Sequence, residues 1–315
     1  MAYLPDWDGH LPYLLERTQR SQIDEVLNSY KYGFTNSDQN KASPQTLTLS
    51  VKYLFLGLID WHQNHKVESI KELAFISAKF QRMYYLCRPD ASLAYGTFRA
   101  FTALLSDNPE IIHWFAWHVI PCLTGPKGRP PHYLQPNKLQ FHTFNCHLAM
   151  MKELDWLGER SEQALAGNVK YKAGKSYLHD FLFFKALAEG NKQLMEDNIH
   201  ALLKGRVAYT RNNENGMTAQ SKVISTWGFM LAKMAYLNGY ELDIDSPWVP
   251  QEWLPVKPLE SYPVDIDFVS DFDLFTPFKG ESAYFKNAQD FSPIHPLKPQ
   301  PNIREWVEDV VRAYP

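Results

Sequence analysis

The stretch 51-VKYLFLGLIDWHQNH-65 places apolar residues at spacings of three and four, which is the pattern of a helix with one buried face. The next stretch, 67-VESIKELAFISAKFQRMYYL-86, repeats that spacing. The two stretches predict consecutive helices, and helical periodicity continues over most of residues 13–238. We therefore predict an all-α fold made of stacked antiparallel helical hairpins.

Two turns between predicted helices have similar sequences, 102-TALLSDNPEII-112 and 185-KALAEGNKQLM-195. Asn108 and Asn191 occupy matching positions, and asparagine is favoured as the N-cap of a helix. A third hairpin is predicted within residues 138–167. Hairpins that recur in this way usually stack into a helical array.

The stretch 236-YLNGYELDIDSPWVPQEWLPVKPLESY-262 cannot continue the helical pattern. Its prolines are Pro247, Pro250, Pro255 and Pro258. Proline restricts the backbone and blocks a helix interior, so we predict an irregular strap that leaves the preceding helix at Gly239 and folds back over the bundle. Trp248 and Trp253 either anchor this strap by burial or contact a partner, since large aromatic residues are frequent in interface hot spots.

The chain divides by composition. We predict a helical domain over residues 1–265, with two halves that meet near the Pro/Gly-rich stretch 121–136. Residues 266–315 are predicted to be an irregular acidic tail that ends in an amphipathic helix capped by Asn302.

Formal net charge is −3, which argues against a general nucleic-acid binder. No apolar run approaches the roughly 20 residues that span a bilayer. The three cysteines form an odd and sparse set, which favours a reducing compartment over a disulfide framework. These features predict a cytoplasmic protein without nucleic-acid or membrane partners; they do not indicate its oligomeric state.

The negative charge is concentrated in residues 260–290. Seven acidic and two basic residues give that stretch a charge of −5 (2 minus 7), which leaves +2 for the rest of the chain. The stretch is either a solvated tail or an acidic surface that suits a basic partner. The candidate contact residues in it are Asp265, Asp267, Asp271 and Asp273.

Motifs for catalysis are weak. The chain has no G-x-S-x-G, P-loop or G-x-G-x-x-G sequence, and we predict no catalytic residues and no cofactor. Asp243 and Asp245 are two residues apart, so an extended backbone would place both carboxylates on one face. Their Pro- and Trp-rich surroundings favour surface or turn-capping roles.

A metal site is the alternative chemical interpretation. His118, Cys122, His142 and Cys146 form two His-x3-Cys pairs, and these residue types are zinc ligands. The same side chains suit a helical core, because a free cysteine packs as a small hydrophobe. A zinc-dependent enzyme thus stays open as an alternative, as does a helical-repeat scaffold that binds a peptide.

Two stretches carry a family resemblance, 179-HDFLFFKALAEGNKQLMEDNIHALL-203 and 222-KVISTWGFMLAKMAYLNGYELDIDSPWVPQEWLPVKPLESY-262. With these stretches the sequence resembles the immunity protein 49 family of bacterial polymorphic-toxin inhibitors. The resemblance extends over about residues 50–265. The motif residues, which we interpret as structural, are Lys233, Gly239, Tyr240, Asp245, Pro250, Trp253, Leu254, Pro255 and Tyr262.

This resemblance implies a mostly helical, cytoplasmic, non-enzymatic protein. It would bind and neutralise a cognate toxin domain from a polymorphic or type VI secretion system by stoichiometric inhibition. The resemblance does not imply which toxin is bound.

Overall fold

The computed structural model describes most of the chain. The described residues are 4–19, 22–28, 39–87, 100–123, 131–167, 177–212, 220–264, 266 and 298–313. The predicted all-α fold is confirmed, and the described residues contain no strand.

Helices occupy most of the described chain. Those of the first part are α1 (Trp7–Arg17), α2 (22–28), α3 (Gln39–Asn64), α4 (Val67–Cys87), α5 (Ala100–Ser106), α6 (Pro109–Trp117) and α7 (Ile120–Leu123). Those of the second part are α8 (Leu139–Met151), α9 (Leu154–Ala166), α10 (Leu178–Glu189), α11 (Lys192–Leu202), α12 (Gly205–Asn212), α13 (Thr226–Leu237) and α14 (Ile303–Ala313). Short 3-10 turns cover His132–Leu134, Gln220–Lys222 and Gln251–Trp253.

The predicted N-caps are confirmed. The side chain of Asn108 accepts a hydrogen bond from the Ile111 amide at 3.0 Å, and that of Asn191 accepts one from the Leu194 amide at 3.1 Å. Each asparagine satisfies one of the amide groups that the first turn of a helix leaves without a partner.

One predicted helix end is wrong. The sequence 110-EIIHWFAWHVI-120 predicts a helix that ends at Pro121, but α6 already ends at Trp117, and Pro121 lies in the first turn of α7. Proline fits that position because the first-turn amides have no intrahelical acceptor.

Helix α13 lies at the centre of the bundle. It contacts α5, α8, α10, α11 and α12, and each residue from Thr226 to Ala235 is buried. Its sequence, TWGFMLAKMAYL, is apolar on every side, as expected for a helix surrounded by others. Lys233 is the one charged residue in this helix.

The strap, which we define as residues 240–262, starts after Gly239. Gly239 has a φ of +88°, a left-handed conformation that glycine adopts without steric cost. The strap first runs back along the central helix, where the carbonyl of Trp248 accepts the Ser225 amide at 2.9 Å. It then crosses α13 near Lys233 and continues toward α4 and the turn between α5 and α6.

His147 is a fully buried titratable residue of α8. Its ring Nδ1 donates to the carbonyl of Ala116 at 2.9 Å. Burial disfavours the charged imidazolium and lowers the pKa of His147 to about 4, although that hydrogen bond partly opposes the shift.

We expect the free energy of unfolding to fall as pH drops from 6.5 to 4. Over that range the unfolded chain binds a proton at His147 and the folded chain does not, which costs about 1.4 kcal/mol per pH unit. Urea denaturation of the parent and of His147→Gln at pH 7 and pH 4.5 measures the effect. The parent should lose more stability than the variant; equal losses would show that His147 does not titrate in this way.

Candidate functional site

The strap is joined to the bundle by a buried charge cluster around Lys233. The Lys233 ammonium is fully buried and lies 2.6 Å from a carboxylate oxygen of Asp107. It also donates to the strap carbonyls of Trp253 and Pro255, at 2.8 and 3.0 Å. Two of the three N–H donors of the ammonium group thus make hydrogen bonds to the strap, and Asp107 pairs with its charge. Burial lowers the pKa of Lys233 to about 8, and Asp107 opposes that shift.

Asp107 holds a second lysine in the same cluster. Its other carboxylate oxygen lies 2.8 Å from Nζ of Lys71, which also donates to the carbonyl of Lys257 at 2.8 Å. The same oxygen accepts the Lys257 amide at 3.2 Å. Two buried cations therefore share one buried carboxylate, and three strap carbonyls supply the remaining acceptors. This lysine–aspartate cluster (Lys71, Asp107 and Lys233) connects α4, the α5–α6 turn, α13 and the strap.

The turn that carries Asp107 also receives the end of the strap. Tyr262 donates its hydroxyl to the Ser106 carbonyl at 2.8 Å, and its ring centroid lies 4.8 Å from that of Phe75. Asp107 itself has a φ of +58°, in the left-handed region that aspartate tolerates better than most residues. The turn thus fixes both the carboxylate and the strap terminus.

Both strap tryptophans lie in the core. Trp253 is 0% exposed and Trp248 is 2% exposed. The Trp253 ring makes edge contacts with Trp61, at 4.7 Å between centroids, and with Phe229, at 6.0 Å. In this conformation neither ring offers surface to a partner, so toxin contact through them stays a prediction that requires the strap to move.

The other motif residues of the strap also have structural partners. Tyr240 packs over the α10–α11 turn, where a Cβ on Gly190 would lie 2.9 Å from the tyrosine hydroxyl. Pro250 and Leu254 are buried. Asp245 differs, because its side chain is exposed and makes no hydrogen bond or ion pair with the described residues.

An open cleft of about 750 Å³ lies on the outer side of the strap. Trp61 and residues between 243 and 252 line it, including Asp243, Asp245 and Glu252. The Trp61 indole donates to a Glu252 oxygen at 3.1 Å. The described residues that line it include three carboxylates and no lysine or arginine, so this lining favours positively charged groups.

The proposed zinc ligands are not brought together. The ring of His118 stacks on Trp114 with centroids 4.6 Å apart, whereas His142 bonds to Asp180 at 3.0 Å. Cys122 and Cys146 are buried free thiols, and burial raises the pKa of Cys146 well above its usual range. Within the described ranges no three His, Cys, Asp or Glu residues are placed to hold a metal ion.

Asp180 instead belongs to a buried ionic group. Its carboxylate accepts from Arg211 at 2.5 Å and from His142 at 3.0 Å, and the guanidinium lies over the rings of Tyr177 and Trp227. Although burial alone would raise the pKa of Asp180, these two partners hold it below its usual value. This group joins α8, α10 and α12, and we interpret it as structural.

The predicted acidic contacts Asp265, Asp267, Asp271 and Asp273 lie outside the described residues. The structure instead places Asp243 and Asp245, for which the sequence favours surface or turn-capping roles, in one cleft with Glu252. The signal in the sequence that could have identified these two aspartates is their alternation with apolar residues, which is typical of an extended chain with one buried face. None of the described helices has the combination of length and hydropathy that a bilayer span requires.

Comparison with protein families gives one partial match. Searches of curated proteins and of solved structures found no match to this chain. Residues 134–253, which run from the turn before α8 to Trp253 of the strap, match the family Imm49, immunity protein 49. This match lies inside the region of about residues 50–265 where the sequence resemblance was predicted, and it confirms the immunity protein 49 family as the one that this segment is similar to.

Proposed function

We propose that this chain is an immunity protein that binds a cognate bacterial toxin domain and neutralises it by stoichiometric inhibition. The observation that carries the proposal is the match of residues 134–253 to immunity protein 49. The matched segment contains the central helix α13, Lys233 of the lysine–aspartate cluster and the residues that line most of the strap cleft.

The mode of action that we propose is binding rather than catalysis. The family name describes protection from a toxin, and the proposed toxin belongs to a polymorphic or type VI secretion system and acts in the cytoplasm. The exposed carboxylates of the strap support a partner that is basic at the contact surface, because opposite charges speed encounter and fix its orientation.

Co-expression tests the proposal. The chain is expressed in bacteria together with the toxin domain encoded beside its reading frame, and survival is compared with cells that carry the toxin and an empty vector. We expect survival, and a 1:1 complex of the purified proteins by light scattering. Inhibition should be complete at one equivalent, whereas an enzyme that inactivates the toxin would act at far lower ratios. Toxin killing that the chain leaves unchanged would contradict the proposal.

The acids of residues 265–273 give a separate prediction. Changing Asp265, Asp267, Asp271 and Asp273 to Asn should slow association with the toxin and flatten its salt dependence, because these charges would steer a basic partner. The association rate of parent and quadruple variant is measured at low and high ionic strength. Equal rates and equal salt slopes would show that this stretch does not steer the toxin.

A further inference from the structure

We propose that residues 241–245 and the adjoining strap cleft form the docking edge for the toxin, and that the toxin adds an extended, basic segment to it as a β-strand. This inference rests on the proposed function and assigns it a surface. The chemistry of the occupant is a backbone strand with lysine or arginine at alternate positions.

The first support is the alternating burial of this segment. Leu242 and Ile244 are each 2% exposed, whereas Glu241, Asp243 and Asp245 are exposed. A period of two is that of an extended chain whose side chains point to opposite faces. The apolar face is anchored in the bundle, which holds the three carboxylates in a row on the outside.

The second support is the hydrogen bonding of the backbone. On one edge, which faces Tyr236 and Gln251, the Leu242 carbonyl accepts from both side chains, and the Ile244 amide donates to Gln251. The opposite edge differs: within the described chain the amide and carbonyl of Glu241 and the carbonyl of Asp243 have no hydrogen-bond partner. Alternate residues of a strand direct these groups to the same edge, so the free groups belong to one edge. The edge ends before Asp245, which lies in a tight turn that the Ser246 amide closes on the Ile244 carbonyl at 2.9 Å.

One group on that edge already makes the type of bond that a strand would make. The Asp243 amide donates at 2.8 Å to the carboxylate of Glu196 on α11. A carbonyl oxygen of an added strand could accept the same amide. Glu196 itself lies 3.6 Å from Nζ of Lys192. If an added strand displaced the Glu196 carboxylate from the Asp243 amide, that carboxylate would still have Lys192 as its ion-pair partner.

The third support is the charge of the surroundings. The cleft, which Gln251 also lines, adds the Glu252 carboxylate and the Trp61 ring to Asp243 and Asp245, and no cation is found among the described residues of its lining. A bound lysine or arginine would meet carboxylates along the edge and an aromatic ring at the cleft, and a cation over such a ring is a favourable contact. Main-chain bonds would supply affinity and alternate side chains specificity, as in other cases of strand addition.

Fluorescence anisotropy with synthetic peptides tests the edge without the toxin. The probe is a labelled peptide of alternating Thr and Lys, and its charge control replaces Lys by Glu. Two further probes carry N-methyl groups on one or the other set of alternate amides. Strand addition uses only one set, so we expect one methylated probe to bind about tenfold more weakly and the other to bind like the parent peptide. If charge attraction alone held the peptide, the two methylated probes would bind with equal affinity, and that result would overturn the proposal.

Variants locate the binding on the chain. Asp243→Asn with Asp245→Asn should weaken binding of the Thr–Lys peptide about tenfold. The matched control, Glu305→Gln with Glu308→Gln, removes the same charge from the exposed face of α14 and should change binding less than about twofold. An equal effect of both pairs would show that net charge, not this edge, is recognised.

Neutralisation assays with the toxin then distinguish the docking edge from the immunity function. If the parent chain neutralises the toxin and the Asp243/Asp245 variant does so with unchanged affinity, the docking edge is refuted while the immunity function stands. If the parent chain gives no protection, the immunity function fails, and the peptide results decide alone whether the edge accepts a strand.

Discussion

Replacing Trp253 by alanine should lower the free energy of unfolding by about 3–5 kcal/mol, the usual cost of removing a large buried aromatic side chain. The ring is fully buried and fills the space between Trp61 of α3 and Phe229 of α13. Its loss would leave a cavity at the point where the strap crosses the central helix. Urea denaturation monitored by circular dichroism measures the change.

Val256→Ala is the matched control, because Val256 lies in the same strap but is 37% exposed. That change should cost well under about 1 kcal/mol. A further comparison uses toxin protection at a temperature where both variants are folded. If Trp253→Ala unfolds like the parent yet fails to protect, the ring acts at the interface and the anchoring role assigned here is wrong.

The helices could be predicted from sequence because their signals are local. Spacings of three and four in residues 51–86, and the caps at Asn108 and Asn191, depend on neighbours within one or two turns of chain. The departure at Gly239 was predictable for the same reason. The helix end at Pro121 could not be predicted, because proline is compatible with two positions, after a helix or in its first turn, and the sequence does not distinguish them.

The lysine–aspartate cluster could not be predicted because its members are far apart in the chain. Lys71, Asp107 and Lys233 come from three elements that meet only after the bundle has formed. A lysine inside an apolar helix was the available signal, since an unpaired buried charge is costly and implies a hidden partner. The edge at residues 241–245 could be predicted only in part. Its alternation of polar and apolar residues is typical of a strand, but the described residues provide no second strand to pair with it.

Asp107→Asn should be strongly destabilising although the substitution is conservative. Asparagine has nearly the same shape and also tolerates the left-handed conformation that Asp107 adopts at a φ of +58°, so backbone strain is held constant. The change leaves the ammonium groups of Lys71 and Lys233 buried without their carboxylate. Breaking a buried pair on one side typically costs about 3–5 kcal/mol, and we expect a loss of that size at pH 6.

Lys233→Met is the matched control. It removes one cation and keeps the ion pair between Lys71 and Asp107, at 2.8 Å. The cost that remains is the lost donor to the Trp253 and Pro255 carbonyls, about 1–3 kcal/mol. A loss equal to or larger than that of Asp107→Asn would mean that the strap depends on the lysine's hydrogen bonds and not on the shared carboxylate.

The pH dependence of the Asp107→Asn loss identifies its cause. The pKa of Lys233 is about 8 in the parent, where Asp107 raises it against the effect of burial, so removing the carboxylate lowers that pKa further. Between the lowered value and pH 8 the folded variant releases a proton that the unfolded chain, with a lysine pKa near 10.4, retains. The stability of the variant should therefore rise with pH in this window while that of the parent does not, and the difference between them should shrink from pH 6 to pH 8. Urea denaturation at both pH values measures it. A difference that stays constant would assign the loss to packing instead of charge.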